Sequence, residues 1–187
     1  MTLEILGISV LWTFLFGYIL VGAIDFGAGF FNAYSLLTGK QRILTNIIQR
    51  YLSPVWEVTN VFLVFFFVGI IGFFPKTAFY YGTTLLVPVS IGIILLAIRG
   101  SYYAFETYGA RGHKGYSFMY GLAGILLPAS LSIVLTISEG GFVEMVDGKP
   151  VLDYWLLFTS PLTWAIVVLS IAATLYISAV FLTWYAN

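Results

Sequence analysis

Long apolar segments, separated by short polar ones, run through almost the whole chain. A membrane-spanning helix needs about 20 mainly apolar residues, and the stretches between charged residues leave room for such helices near residues 5–34, 54–74, 79–103, 116–137 and 155–185. The pattern predicts an all-α integral membrane protein, a polytopic bundle of about five transmembrane helices. Together they would form a single transmembrane domain over residues 1–187.

The segment between the first two spans has a different periodicity. In K-Q-R-I-L-T-N-I-I-Q-R, residues 40–50, apolar side chains recur at helical spacing on one side and polar ones on the other: Ile43, Leu44, Ile47 and Ile48 against Lys40, Arg42, Gln49 and Arg50. This predicts a short amphipathic helix that lies in the membrane interface. The stretch 139–153 is the one sizeable polar loop.

Basic residues in the short loops predict the orientation, because loops rich in Lys and Arg stay on the cytoplasmic side. Such residues concentrate in the first and third loops: Lys40, Arg42 and Arg50, then Arg111 and Lys114. Those two loops, with the interfacial helix, are predicted to be cytoplasmic. The N-terminus and the loop 139–153 are then outside.

Composition supports the membrane assignment and narrows the chemistry. The chain is 60% hydrophobic and 9% charged, whereas a soluble domain has roughly 25% charged residues. It has no cysteine, and its one histidine, His113, falls in a predicted cytoplasmic loop. Haem iron is usually held by His, Cys or Met. Met119 is the one methionine within a span, and a single methionine there is more often a packing residue than a ligand. We therefore expect no haem and no metal ion to be bound directly by this chain.

Three ionisable side chains fall within predicted spans: Asp25, Glu57 and Arg99. Each costs about 2.5–3.5 kcal/mol at a bilayer centre, so each should face protein or water. At 1.5 Å per residue, Asp25 is about 13 Å from the cytoplasmic boundary and Glu57 only about 5 Å, with Arg99 similarly shallow. Two carboxylates at graded depth favour a stepwise proton path from the cytoplasm.

Structural roles for these residues remain open alternatives. Glu57 follows Pro54 by three positions and could cap the N-terminus of its helix. Arg99 could extend to the headgroups or form a static ion pair with Glu57. Asp25 is too deep for either explanation. For the whole chain, the alternatives are a proton- or cation-coupled transporter or channel subunit and a purely structural membrane subunit.

Small residues surround Asp25. Gly22, Ala23, Gly27 and Gly29 lie at spacings that let helix backbones approach closely. They predict a helix interface, either within this chain or with a partner, and either arrangement encloses Asp25.

Four sequence blocks, in order, resemble the N-terminal half of subunit II of the cytochrome bd-type quinol oxidases. They are G-Y-I-L-V-G-A-I-D-F-G-A-G (17–29), S-P-V-W-E-V-T-N-V-F-L (53–63), F-F-P-K-T-A-F-Y-Y (73–81) and A-I-R-G-S-Y-Y-A-F-E (97–106). Beyond residue 105 the resemblance rests on hydropathy and on L-L-P-A-S. The family subunit has a second, similar half, so we expect the chain to be half of a longer two-bundle subunit.

The resemblance implies a complex in the bacterial plasma membrane that oxidises quinol and reduces oxygen to water. Subunit I would carry the b-type and d-type haems and the quinol site, and the present chain would be a supporting subunit with no catalytic residue. The family also leaves room for a small single-helix subunit, and no nucleic acid is expected. By resemblance, Asp25 and Glu57 belong to the proton path, with Arg99, Trp56 and Asn60 beside it or at the partner contact.

The chain departs from the family pattern at several positions. Gly22 stands where the glycine-rich block usually has an acid, Asn60 where the second block has its second acid, and Phe62 where that block ends in tryptophan. These departures indicate a divergent branch, either the cyanide-insensitive type or one from Gram-positive bacteria.

The predicted topology can be tested by labelling. Because the chain has no cysteine, a single cysteine placed at Arg111 or Asp147 reports one loop at a time. We expect a membrane-impermeant thiol reagent to reach Asp147→Cys from outside intact cells and Arg111→Cys only from the cytoplasmic side. Labelling from the opposite sides would invert the topology and, with it, the direction of the proton path.

Overall fold

The computed structural model describes residues 3–39, 44–108, 114–146 and 148–186. Within these ranges it describes the backbone alone for residues 44–57, 103–108, 114 and 186. The described part consists of helices and one short hairpin: α1 Leu3–Thr38, α2 Leu44–Phe73, α3 Pro75–Thr84, α4 Leu86–Tyr108, α5 Lys114–Glu139, β1 Val143–Val146, β2 Lys149–Leu152, α6 Tyr154–Thr159 and α7 Pro161–Ala186.

Helix α1 is the centre of the bundle. It packs against α2, α5 and α7, and α4 joins the bundle through α5. The main core lies between these helices and is formed by Tyr18, Phe26, Leu95, Ala123 and Leu127. The outward faces carry large exposed apolar side chains, including Val68, Ile71, Val168 and Leu169. Lipid or protein partners can cover such faces, whereas water cannot do so favourably.

The predicted all-α membrane bundle is confirmed. Within the described residues, α1, residues 115–139 of α5 and residues 161–185 of α7 are long and apolar enough to cross a membrane. Helices α3 and α4 provide a fourth span if the bent pair counts as one, and residues 58–73 of α2 form a shorter apolar helix.

The region of the predicted third span, 79–103, is divided at Leu85. Helices α3 and α4 meet there at an angle of 82°. The break at Phe74 has a local cause, because Pro75 restricts the preceding residue and fits the first turn of α3, where its missing N–H is not needed. Leu85 itself is 8% exposed and packs against the hairpin. Apolar burial on that side therefore stabilises the bend.

The predicted polar loop 139–153 contains a β-hairpin. Strands β1 and β2 are antiparallel, with Val143 opposite Leu152 and Val146 opposite Lys149. Leu152 packs with Ile137 and Leu157, and the Asp153 carboxylate accepts a hydrogen bond of 3.0 Å from the Leu156 N–H at the start of α6. The hairpin thus closes the end of the bundle at which α5 ends and α7 begins.

The predicted interfacial helix is continuous with the second span. Residues 44–50 form the first turns of α2, which runs on through Pro54 to Phe73. Residues 40–43 lie outside the described part. Helix α2 therefore begins well before the predicted boundary at residue 54, and this changes the position of Glu57 along the bundle.

The glycines near Asp25 face other helices of this chain. An added Cβ at Gly27 would overlap Ser178 of α7 and would lie 2.9 Å from the Thr174 carbonyl oxygen. At Gly22 it would lie 3.5 Å from Thr59 of α2. The Ser178 hydroxyl, in turn, donates a hydrogen bond of 3.0 Å to the Ile24 carbonyl oxygen. Because glycine has no side chain, α1 and α7 can approach each other this closely at Gly27.

Gly27→Ala should destabilise the bundle by about 1–3 kcal/mol, the usual cost of overpacking a closed contact. Gly72→Ala is the matched control, because a Cβ there meets nothing within 4 Å. The measurement is the thermal denaturation midpoint of the purified protein in detergent. Equal midpoints for the two variants would contradict the α1–α7 contact.

Candidate functional site

An ion pair lies in the interior of the bundle. Arg99 of α4 donates from Nη2 to Oδ2 of Asp25 on α1 at 2.8 Å, and the two side chains are 0% and 1% exposed. A buried charge is tolerated only when it is paired and hydrogen-bonded. Here each charge has the other as its immediate partner.

Tyr120 of α5 completes the site. Its hydroxyl donates to Asp25 Oδ1 at 3.0 Å and accepts from Arg99 Nη2 at 2.9 Å. Arg99 also donates to two backbone oxygens, that of Asp25 at 3.0 Å and that of Tyr120 at 3.2 Å. Its guanidinium carbon lies 4.1 Å from the centroid of the Tyr120 ring, within cation–π range. The three helices are therefore joined by one polar group of three side chains.

Two glycines make room for the guanidinium. A Cβ at Gly29 would lie 2.8 Å from Arg99 Nη1 and equally close to the Tyr120 ring, and one at Gly124 would lie 2.9 Å from the same nitrogen. The predicted interface position Gly29 thus lies against the charged site. Because glycine has only a hydrogen atom as its side chain, Gly29 and Gly124 leave space for the large arginine side chain between α1 and α5.

The sequence singled out Asp25 and Arg99, and the structure brings them together. The interpretation that Arg99 extends to the headgroups does not hold, because its side chain is fully buried. The ion-pair interpretation named Glu57 as the partner of Arg99; the Glu57 side chain lies outside the described part, and within that part Arg99 pairs with Asp25. The sequence-based depth of Arg99 is too shallow, because α4 continues to Tyr108 and Arg99 lies about 14 Å from the end of its helix by the helical rise.

The other candidates lie on α2. For Glu57 and Trp56 the structure describes the backbone alone, within α2. Asn60 is half-buried, one position after the buried Thr59.

The contacts between α1 and α2 define the level of Glu57. A Cβ at Gly69 would overlap Leu11, one at Gly17 would lie 3.6 Å from Phe62, and one at Gly22 lies nearest Thr59 on the other helix. The two helices are antiparallel in this register, which sets residue 57 opposite residues 23–24. Glu57 is therefore at nearly the level of Asp25, not about 8 Å closer to the cytoplasm as the difference between the sequence-based depths implied. The early start of α2 is the reason.

Tyr120 was not identified from the sequence, and neither was Asn32. A usable signal was present on α1, where Tyr18, Asp25 and Asn32 recur every seven residues and so lie on one helical face. All three are buried, at 2%, 1% and 1% exposure. A polar stripe within an apolar span therefore marks the face that meets α4 and α5.

Within the described ranges, no group of three or more His, Cys, Asp or Glu side chains could hold a metal ion. His113 lies outside those ranges. The site described here is a hydrogen-bonded and charge-balanced group of side chains.

Comparisons with known proteins give a consistent result. Residues 3–187 match the family model of the cytochrome bd terminal oxidase subunit II. A Bacillus subtilis (strain 168) protein, provisionally described as a cytochrome bd menaquinol oxidase subunit II, is 38% identical over 183 residues, which are 98% of this chain and 52% of the relative.

A solved structure of the bd oxidase from Geobacillus thermodenitrificans has a chain that is 70% identical and superposes with a TM-score of 0.86. The match covers 100% of the present chain and 57% of that one. The present chain therefore spans about half the length of the proteins it matches.

Arg99→Gln should destabilise the protein by about 3–5 kcal/mol, because it leaves Asp25 as a buried carboxylate without its cation. Arg99→Lys should fall between this variant and the wild type, since an ammonium cannot reproduce the planar set of donors. Asp25→Asn combined with Arg99→Gln should be less destabilised than the sum of the single variants. Thermal denaturation in detergent of the wild type, Asp25→Asn, Arg99→Gln and the double variant measures the coupling, and strictly additive effects would contradict the ion pair.

Proposed function

Because the chain belongs to the cytochrome bd terminal oxidase subunit II family, we propose that it is the haem-free subunit II of a bd-type quinol oxidase. It is a multi-pass protein of the bacterial plasma membrane. In this role it supports a haem-bearing subunit I, and the complex transfers electrons from quinol to oxygen and forms water. The composition supports the division, because a chain with no cysteine and a single histidine has few side chains suited to iron.

Reduction of oxygen to water consumes protons, and we propose that this chain carries some of them from the cytoplasm through Asp25 and Glu57. The observation that carries the proposal is the enclosed carboxylate of Asp25, 1% exposed and in contact with the Tyr120 hydroxyl. Intramembrane acids are expensive and are usually functional. Asn60 and Trp56, on the α2 segment that also holds Glu57, would line the path or contact the partner.

Charge balance describes how Asp25 would act. The ion pair with Arg99 is neutral as a unit. A proton that binds Asp25 leaves the positive charge of Arg99 unbalanced in the interior, where charge is costly. The protonated form would therefore be short-lived, which suits a group that passes a proton on rather than one that stores it.

The register of α1 and α2 changes the order of transfer. With Glu57 and Asp25 at about the same level, exchange between them would run across the bundle and not along it. We propose that water spans the gap between the two carboxyl groups. Glu57 is then a lateral partner of Asp25, and the approach from the cytoplasm must come from elsewhere.

The course of α1 does not favour the alternative function of a coupled transporter. A coupled transporter would be favoured by a helix broken beside the ionisable residue, whereas α1 runs unbroken from Leu3 to Thr38 through Asp25. The bend between α3 and α4 lies at Leu85, which is buried in the cluster at the hairpin end.

Asp25→Asn and Glu57→Gln should each slow quinol-driven oxygen consumption by the assembled complex at least about tenfold, because an amide cannot take up and release a proton at this position. Turnover should be compared per haem, because Asp25→Asn leaves Arg99 without its counter-charge and lowers the amount of assembled complex. Glu4→Gln is the matched control, since Glu4 is an exposed acid in the first turn of the same helix. Wild-type turnover in both Asp25→Asn and Glu57→Gln would refute the proton path.

The double variant Asp25→Asn with Arg99→Gln separates a proton path from a purely structural role. It removes both charges and keeps hydrogen-bonding amides in their place. If Asp25 only neutralises Arg99, turnover should recover in the double variant. If Asp25 carries protons, the double variant should assemble well and stay as slow as Asp25→Asn.

A further inference from the structure

A second layer of buried polar side chains lies next to the ion pair. It consists of Asn32, Tyr102 and Ser117, which are 1%, 8% and 1% exposed. They come from α1, α4 and α5, the same helices that supply Asp25, Arg99 and Tyr120. On each helix the second residue is displaced toward the end of the bundle at which α1 and α4 end and α5 begins. That end is the predicted cytoplasmic side.

The two layers are in contact. The Tyr102 ring stacks on the Tyr120 ring with centroids 4.3 Å apart and planes at 21°. The Tyr102 hydroxyl accepts a long hydrogen bond of 3.5 Å from Nδ2 of Asn32. The ring stack therefore joins the Asn32–Tyr102 pair to the Tyr120–Asp25 pair, and water between the two hydroxyls would complete a proton path.

The register of α1 against α5 sets Ser117 at the level of Asn32. An added Cβ at Gly124 would overlap the Phe26 carbonyl, and one at Gly121 would lie 3.1 Å from the Gly29 carbonyl oxygen. One turn further along α5, the same antiparallel register brings Ser117 level with Ala33, next to Asn32.

Two polar atoms of this layer lack a hydrogen-bond partner in the described part of the chain. They are the amide oxygen of Asn32 and the hydroxyl oxygen of Ser117. A buried polar atom left unsatisfied costs about 1–3 kcal/mol. Proteins normally meet this cost with a bound water that has about two to four polar partners. The register places the backbones of the two residues at about the same level of the bundle, where bound water would supply the partner that each atom lacks.

We propose that the Asn32–Tyr102–Ser117 layer binds water and is the cytoplasmic inlet through which protons reach Asp25. This inference rests on the proposed proton path and supplies the part that Glu57, at the level of Asp25, does not. Each step moves one proton: a water O–H bond breaks as a new O–H bond forms on the next oxygen along the chain. No oxidant or reductant takes part.

The test uses the assembled complex and follows proton uptake with a pH-sensitive dye alongside quinol-driven oxygen consumption. Asn32→Leu keeps the number and branching of the side-chain heavy atoms but offers no polar atom, and should slow both rates at least about tenfold. Asn32→Ser keeps a polar group and leaves space for water, and should stay near the wild-type rates. This contrast distinguishes water binding from packing, because the serine variant loses more packing.

Ser117→Ala provides a milder variant in case leucine at position 32 prevents assembly. It should slow proton uptake severalfold. Thr163→Val on α7 is its matched control, because Thr163 is 2% exposed and its hydroxyl likewise has no partner in the described part. That variant should leave proton uptake unchanged.

The outcomes separate the inlet from the path itself. Slow uptake in Asp25→Asn with wild-type uptake in Asn32→Leu or Ser117→Ala would overturn the inlet and leave the proposed function standing. Equal slowing by Asn32→Leu and Asn32→Ser would also overturn it, since packing would then be the cause. Wild-type uptake in Asp25→Asn would overturn both the path and its inlet.

Discussion

The ion pair between Asp25 and Arg99 is the constraint on which the rest of the bundle depends. In the buried interior of the bundle, neither charge is tolerable alone. Three helices must therefore meet at one level, so that α1 and α4 supply the two charges and α5 supplies the hydrogen-bonding Tyr120. Gly29 and Gly124 are required for the same reason, because any side chain there would displace the guanidinium. The packing of these helices therefore requires both the glycines and the buried ion pair.

Much of the site followed from the cost of charge in a membrane. An acid among glycines in an apolar span had to be enclosed, and Asp25 is. Its pairing with Arg99 did not follow, because depths were measured from hydropathy boundaries, and hydropathy does not define where helices end. Helix α4 continues five residues beyond the predicted boundary at 103, and α2 begins ten residues before the one at 54. With these helix ends, Arg99 lies at the level of Asp25, and Glu57 and Asp25 lie at nearly the same depth.

Some features of the fold likewise follow from the local sequence, whereas others depend on contacts between distant residues. Long apolar segments predicted the helices of the bundle, because their length and composition leave few alternatives in lipid. The bend at Leu85 was not predicted, although Pro88 is a local signal for it: proline has no N–H to bond the carbonyl of Thr84, and its ring crowds that carbonyl. Apolar packing against the hairpin also stabilises the bend. The hairpin itself had a local signal in Gly148, which has a φ of 74° and suits a tight turn. Registers between helices, which decide what the polar residues meet, depend on contacts far apart in sequence.

The central claim is that Asp25, although paired with Arg99, carries a proton during turnover. Time-resolved infrared difference spectroscopy of the assembled oxidase measures this directly, because a protonated carboxylic acid absorbs where a carboxylate does not. The account predicts a transient carboxylic acid band after reduced enzyme meets oxygen, present in wild type and Glu4→Gln and absent in Asp25→Asn. A band that persists unchanged in Asp25→Asn, or no such band in wild type, would contradict it.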